Sequence, residues 1–411
     1  MKKTKLLFLL SIFVAFAVLS ACSEEGSKGE SNTIEVWAMG EEGKKLEELA
    51  KKFEKENEGL TVDVQAIPWG SAHDKLLTAV ASGNGPDVLQ LGTTWVAEFA
   101  EAGALKDLSK YMDDYPEFAP DNYFEGSQSV MKRGDEIVGI PWYVDTRVLY
   151  YRTDILKEAG YDKAPQTWEE LKDAAAKLAA RGEGQFGLDI DQKDQITPFI
   201  FAWQNGYEAD LKNNDLNFDS PKFIEAMKYY HSYFEKGYSQ TQQGGDIVQA
   251  FSKGSKPMFF SGPWMINIIN EQAPEIKGKW ATAVMPKKET RTSSMGGSVL
   301  SVFDTSKNVD NALKFISYMN EVDTQLEWLK ISNTLPARTE AWEDPLLKED
   351  PNYKVFGEQL KHTKAGIQIE EFERIAQELL SSLERVNAGG ADLQKEMEKF
   401  NQTAQELLEE E

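Results

Sequence analysis

Short apolar runs alternate with amphipathic segments in the first part of the chain. The apolar runs predict β-strands at residues 33–37, 60–67 and 87–91. Apolar side chains at three- and four-residue spacing predict helices at residues 43–57, 73–82 and 95–101. Strands that alternate with helices of this length favour an α/β layered domain with a largely parallel sheet.

The remainder of the chain is richer in helix. Thr167 followed three residues later by Glu170 has the pattern of a capping box, which predicts that a helix starts at Trp168. Apolar periodicity predicts further helices at residues 221–236, 244–253, 309–320, 353–364, 372–385 and 391–408. Short apolar strands return at residues 256–260 and 299–303.

The first 21 residues have the pattern of a secretory signal peptide. Lys2, Lys3 and Lys5 form a basic start, and residues 6–20 follow without a charge. This apolar run is shorter than the roughly 20 residues that a membrane-spanning helix needs. Cleavage after Ala21 is therefore predicted, and an uncleaved membrane anchor is the alternative.

The only cysteine of the 411 residues, Cys22, follows Leu19-Ser20-Ala21. These four residues resemble a lipobox, the bacterial signature in which cleavage precedes a cysteine that is then lipidated. Acyl chains contribute about 0.8 kcal/mol of membrane affinity per buried methylene. Residues 22–32 have no apolar side chain after the cysteine and are predicted to form a flexible tether. The sequence thus predicts a protein held by Cys22 on the outer face of the cell membrane.

The charge balance and the cysteine count narrow the function classes. The chain has 45 Lys and Arg against 68 Asp and Glu, a formal net charge of −23. Because binding to nucleic-acid phosphates needs a basic face, no nucleic-acid partner is predicted. A lone cysteine also excludes a disulfide framework and any metal or iron–sulfur site built on clustered cysteines.

Motifs for catalysis and for metal binding are missing from the sequence. No glycine-rich phosphate-binding loop is present, so an ATPase on this chain is excluded. His73, His231 and His362 are far apart and form no zinc motif. Nothing among the 68 carboxylates marks the acid pair of a glycosidase. We therefore predict no enzyme activity, no cofactor and no metal site.

Six motifs occur in order along the chain. They are GPD at residues 85–87, GIPWYVD at 139–145, AFSKG at 250–254, MFFSGPW at 258–264, GGS at 296–298 and LPAR at 335–338. In this order and spacing, the sequence resembles the extracellular solute-binding proteins of ABC importers, and among them the maltose-binding-like sugar-binding family. The resemblance covers the chain from Thr33 to its end.

The resemblance implies a two-lobed, periplasmic-binding-protein-like α/β fold with discontinuous lobes, hinge crossings and a ligand cleft between the lobes. The N-terminal lobe would comprise residues 33–142 and 299–336, and the C-terminal lobe residues 143–298 and 337–411. The implied protein is a monomer that captures a mono- to oligosaccharide and delivers it to the membrane permease subunits of an ABC transporter.

The candidate site residues follow from the chemistry of sugars. A sugar has weakly apolar C–H faces, which aromatic rings cover, and hydroxyl edges, which charged planar groups bind. The predicted aromatic contacts are Trp69, Trp95, Tyr143, Trp203 and Trp264. The predicted polar contacts are Glu41, Asp145 and Arg147, with Gly296 and Gly297 allowing close approach of the backbone. Asp145 and Arg147 could instead pair with each other at the hinge.

Two other functions stay open on the sequence alone. The same fold could bind a non-sugar ligand, such as ferric ion, a polyamine or a phosphate ester. Ferric iron would need an exposed pair such as Tyr150–Tyr151 or Tyr229–Tyr230, although core packing is the favoured interpretation of both pairs. A surface-anchored polysaccharide hydrolase is the third hypothesis.

Overall fold

The computed structural model describes residues 31–242 and 245–409. The predicted signal peptide, Cys22 and residues 23–30 of the tether lie outside the described residues. The strands are β1 (Thr33–Met39), β2 (Thr61–Ile67), β3 (Val88–Gly92), β4 (Lys132–Arg133), β5 (Glu136–Ile137), β6 (Ile140–Asp145), β7 (Val148–Arg152), β8 (Met258–Ser261), β9 (Trp280–Ala283), β10 (Ser293–Ser294), β11 (Gly296–Val302), β12 (Leu335–Pro336) and β13 (Thr363–Lys364).

The α-helices of the described ranges are α1 (Gly40–Lys45), α2 (Glu47–Glu56), α3 (Trp69–Ser82), α4 (Val96–Glu101), α5 (Glu125–Gln128), α6 (Thr153–Glu158), α7 (Trp168–Ala179), α8 (Thr197–Gln204), α9 (Pro221–Glu235), α10 (Ile247–Lys253), α11 (Trp264–Gln272), α12 (Val309–Asn320), α13 (Val322–Ser332), α14 (Pro345–Lys348), α15 (Pro351–Leu360), α16 (Phe372–Asn387) and α17 (Leu393–Leu408). None of these helices is long and apolar enough to cross a membrane. The hydroxyl of Thr167 accepts a hydrogen bond from the amide of Glu170 (3.2 Å), which confirms the predicted start of α7.

Six strands form the sheet of the first lobe, in the order β12-β6-β11-β3-β1-β2. Strand β1 contributes Ile34, Val36 and Ala38 to the core, and all three are fully buried. It runs parallel to β2 and β3, whereas β11 runs antiparallel to β3 and β6. The three strands predicted from the first part of the chain therefore pair in parallel, as expected, but the whole sheet is mixed. The difference is non-local, because β11 enters the sheet on return from the second lobe and runs against its neighbours.

The second lobe is built on a three-stranded antiparallel sheet, β8-β7-β9. Tyr150 on β7 is fully buried and stacks on Phe259 of β8, with ring centroids 5.0 Å apart. Tyr230 on α9 is 1% exposed. Burial raises the pKa of both tyrosines above the ordinary value. These two side chains pack in the core, as predicted, and offer no exposed phenolate for iron.

The chain crosses between the lobes after β6 and again before β11. Asp145 at the end of β6 pairs with Gly296, so the sheet of the first lobe extends past the predicted boundaries at residues 142 and 299. The Ser293 hydroxyl donates to the backbone oxygen of Arg147 (2.7 Å) and thereby ties the two crossings together. The division of the rest of the chain between the lobes stays a prediction.

Gly297 lies in β11 and pairs with Val144 of β6. Its φ of +119° is a backbone conformation that other residues rarely adopt. A Cβ added here would overlap the backbone oxygen of Tyr143. Glycine is therefore required at this point of the crossing.

We expect Gly297→Ala to lower the free energy of unfolding by at least about 2 kcal/mol, because strain and overlap act together. Gly59→Ala is the matched control, since Gly59 also has a positive φ (+91°) but a Cβ there would meet nothing within 4 Å. Calorimetric unfolding of both variants measures the difference. An equal loss of stability in the two would contradict the role given to the Tyr143 contact.

Candidate functional site

A cavity of about 370 Å³ lies between the two lobes. This inner cavity is lined by Glu42, Trp69, Tyr143, Val144, Asp145, Pro263, Trp264, Gly297, Ser332, Asn333 and Thr334. Its walls come from α1, α3, β6 and the end of α13 on one side and from the start of α11 on the other. The volume is within the range of about 300–1,000 Å³ that is usual for small-molecule sites.

A second cavity, of about 670 Å³, shares Trp264 with the first. This outer cavity is lined by Arg147, Asp189, Ile190, Asp191, Lys193, Asp194, Gln240, Gly245, Ile247, Lys256, Phe259, Phe260, Ser261, Trp264 and Met265. Lys256 forms an ion pair with Asp189 (2.6 Å) on its wall. Of these two cavities, only the inner one is lined by residues of the first-lobe sheet as well as by the start of α11.

Trp264 begins α11, directly after the Gly262-Pro263 turn. Its side chain is 38% exposed, which is unusual for so large an apolar group. The ring lies against Gly262, where an added Cβ would overlap it. The guanidinium carbon of Arg147 lies 4.9 Å from the ring centroid, a cation–π contact that helps to hold the ring in place.

Trp69 faces the inner cavity from the first lobe and is also 38% exposed. It begins α3, and an added Cβ at Gly40 would come within 2.7 Å of its ring. Trp95 packs edge-on against it, with ring centroids 5.3 Å apart. Trp95 itself is half-buried, contacts His73 as well, and does not line either cavity. The structure therefore places Trp95 behind Trp69 as its support.

Arg147 stands between two carboxylates. Its Nη1 donates to Asp145 and its Nε donates to Asp194, both at 2.9 Å. Burial lowers the pKa of Arg147, whereas the two carboxylates raise it by a larger amount, so the net shift is upward. For Asp145, burial has the largest effect and raises the pKa; repulsion from Asp194 adds to it, and together they outweigh the attraction of Arg147. The Asp145–Arg147 pair that the sequence left open is thus present, and Asp145 lines the inner cavity as well.

Glu42, and not Glu41, faces the inner cavity. Glu41 is exposed and pairs with Lys44 on the outer face of α1. Glu42 is partly buried, and burial raises the pKa of its carboxyl against smaller opposing effects of a hydrogen bond with its own backbone and of Lys45. Within the described residues it forms no ion pair, and its side chain lines the inner cavity.

Tyr143 is 6% exposed, and its hydroxyl takes part in a buried network beneath the cavity floor. The amide of Gln90 donates to Tyr143 Oη (3.1 Å) and to Ser298 Oγ (2.9 Å), while its oxygen accepts from the Met39 amide (2.7 Å). Gln90 therefore joins four strands of the first-lobe sheet. Burial raises the pKa of Tyr143 well above its ordinary value, so the hydroxyl stays protonated.

The prediction that Trp203 contacts the ligand is wrong. Its side chain is 4% exposed and packs near Phe199 in the core of the second lobe. Every residue of α8 is buried, and the sequence of this helix (TPFIFAWQ) is apolar on almost all sides. Helices of this kind belong to cores. The apolar sequence of this helix is therefore a signal for core packing of Trp203.

The inner cavity brings five of the predicted site residues together. They are Trp69, Tyr143, Asp145, Trp264 and Gly297. Gly296 does not line it, but an added Cβ there would come within 2.5 Å of Asp145 Oδ1, so glycine leaves room for that carboxylate. Glu42, Asp189 and Asp194 are not predicted from the sequence, because nothing local marks them among the many carboxylates.

The described residues contain no group of three His, Cys, Asp or Glu side chains that could hold a metal ion.

Comparisons with known proteins agree with this architecture. Residues 37–326 match the family described as bacterial extracellular solute-binding protein. The solved structure of the sugar-binding protein MalE from Xanthomonas citri aligns with a TM-score of 0.87 at 34% identity, over 92% of this chain and 97% of that one.

Two sequence relatives cover most of the chain. A putative binding protein of Brucella abortus is 28% identical over 78% of this chain and 79% of the relative. A maltooligosaccharide ABC transporter solute-binding lipoprotein of Streptococcus pneumoniae is 25% identical over 89% of this chain and 87% of the relative. With two α/β lobes, a cavity between them and a family match over most of its length, the chain belongs to the bacterial extracellular solute-binding proteins.

Proposed function

We propose that this protein binds a mono- to oligosaccharide in the inner cavity. The observation that carries the proposal is the pair of exposed rings, Trp69 from one lobe and Trp264 from the other, which line a single cavity. Exposed apolar surface of this kind in a cleft is typical of a ligand-binding groove. Flat rings of this kind suit the C–H faces of a pyranose.

Polar groups around the rings suit the hydroxyl edges of the same ligand. The carboxylates of Glu42 and Asp145 accept hydrogen bonds, and charged acceptors give the stronger ones. Asn333 and Thr334 add side chains that can donate and accept. Carboxylate acceptors together with a few side chains that both donate and accept hydrogen bonds suit a ligand that is rich in hydroxyl groups.

The proposed site also couples binding to a conformational change. A ligand between Trp69 and Trp264 contacts both lobes fully only when the lobes are closed, so it binds that state more tightly. The closed form is then what the permease subunits of an ABC importer would recognise. No covalent step is proposed, in keeping with relatives that are binding proteins.

We further propose that the mature chain begins at Cys22 and is held by acyl chains on the outer face of the cell membrane. The lipobox-like sequence supports this proposal. The Streptococcus pneumoniae relative, which is named a lipoprotein, also supports it. Metabolic labelling with a radioactive fatty acid tests it: Cys22→Ser should abolish the label, and a label that persists would contradict the anchor.

Calorimetric titration of the full mature chain against a panel of neutral mono-, di- and trisaccharides tests the sugar proposal. We expect at least one of them to bind with a dissociation constant in the micromolar range, about −8 kcal/mol. A polyamine is titrated alongside the sugars, because the acidic lining of the inner cavity favours a polyamine over the other non-sugar ligands. Tight binding of the polyamine with no binding of any sugar would overturn the proposal.

We expect Trp264→Ala to weaken binding of that sugar by about 2 kcal/mol, roughly 30-fold, because an aromatic surface is lost from both cavities. Leu211→Ala is the control, since Leu211 is an exposed apolar side chain (44%) that lines neither cavity. Circular dichroism checks that both variants stay folded. An unchanged affinity in Trp264→Ala would remove this residue from the site.

Glu42→Gln should have opposite effects on stability and on binding. Because the pKa of Glu42 is raised above 4.5 in the folded protein, its charge costs stability as pH rises through the folded pKa. We expect the variant to unfold about 1–2 °C higher than wild type at pH 7, with the gain vanishing towards pH 4. Affinity for the sugar should fall at the same time. A lower unfolding temperature at pH 7 would contradict this account of Glu42.

A further inference from the structure

The two cavities differ in how their charges are compensated. In the outer cavity, Lys256 pairs with Asp189, and Lys193 adds a further, exposed cation. In the inner cavity, the charged lining residues are Glu42 and Asp145, and no cationic side chain of the described residues lines it. The charged groups on the wall of this ligand chamber are therefore carboxylates, and Arg147 compensates one of them, Asp145.

The nearest cations are not available to a ligand in the inner cavity. Arg147 donates to Asp145 and to Asp194 at 2.9 Å and presents its face to Trp264. Lys45, one turn from Glu42 on α1, acts on the Glu42 carboxyl through space but does not line the cavity. An anionic ligand entering this chamber would meet two carboxylates, two tryptophan rings and the uncharged polar groups of Ser332, Asn333 and Thr334. None of the described lysines or arginines lines the chamber to pair with it.

The aromatic rings also favour neutral or cationic ligands over anionic ones. The face of a tryptophan ring carries partial negative charge and attracts cations. Trp69 and Trp264 both present exposed ring surface to the inner cavity. Two carboxylates and two ring faces make a chamber that tolerates neutral or positively charged groups and repels negative ones.

We infer that the inner cavity selects its ligand by charge, with Glu42 as the specificity-determining residue: it takes neutral or amine-bearing sugar units and excludes uronate, phosphorylated and sulfated ones. This inference rests on the proposed function. The repulsion acts where water is excluded, because closure of the lobes desolvates both the ligand anion and the cavity carboxylates. Asp145 contributes less than Glu42, since Arg147 already balances part of its charge.

A pair of ligands of equal shape tests the inference. The tightest-binding neutral sugar of the panel is oxidised at its primary hydroxyls to the uronate, and part of this product is converted to the neutral uronamide. Calorimetric titration at low ionic strength then compares the two with the parent sugar. We expect the uronate to bind at least tenfold more weakly than the uronamide in the wild-type protein.

Two neighbouring glutamates provide the matched variants. Glu42→Gln should reduce the ratio of the dissociation constants of the uronate and the uronamide (the gap) at least threefold, because it removes the repelling charge. Glu41→Gln, on the exposed face of the same helix, should leave the gap unchanged. The gap should also narrow in 0.5 M salt, which screens part of the repulsion.

The outcomes separate this inference from the proposed function. If the parent sugar binds but the uronate binds within threefold of either neutral ligand, charge selection is overturned while sugar binding stands. A gap that Glu42→Gln does not narrow would overturn the role of Glu42. If no neutral sugar binds at all, the proposed function fails and this inference fails with it.

Discussion

One guanidinium organises the cleft. Arg147 lies on the crossing between the lobes, donates to Asp145 at the end of the first-lobe sheet and to Asp194 in the second lobe, and supports the ring of Trp264. Because the fork of an arginine has fixed geometry, these contacts are satisfied together only when the crossing, the acids and the ring occupy their observed positions. Removing one partner would leave another buried charge without compensation, which is strongly destabilising.

Burial disfavours the ionised forms of the two acids that face the inner cavity. Burial raises the pKa of both Glu42 and Asp145, which means that their charged forms are less stable in the folded protein than in the unfolded chain. Groups in this condition concentrate at functional sites, because a ligand can supply the interactions that the protein withholds. In the proposed complex, sugar hydroxyls would donate hydrogen bonds to these oxygens. Because the buried carboxylates are poorly solvated without these bonds, forming them would contribute to the affinity for the sugar.

Local sequence patterns predicted much of this structure, and the failures share a cause. The capped start of α7 depends on neighbouring residues alone, and the sequence predicts it. The sequence predicts a helix only from residue 73, whereas α3 begins at Trp69, and it predicts no helix at Trp264, where α11 begins. The mixed direction of the first-lobe sheet depends on β11, which joins from far along the chain. The choice between Glu41 and Glu42 depends on helix phase, since one residue turns the side chain by about 100°. The position of Asp194 depends on a loop that only the tertiary fold brings to Arg147.

The central claim is that a sugar occupies the inner cavity and contacts both lobes. A crystal structure of the protein with the tightest-binding sugar of the panel measures this most directly. The account predicts a sugar ring between Trp69 and Trp264, with hydroxyls within hydrogen-bond distance of Glu42 and Asp145 and the lobes closed around it. A ligand bound elsewhere, or a sugar in contact with one lobe only, would contradict it.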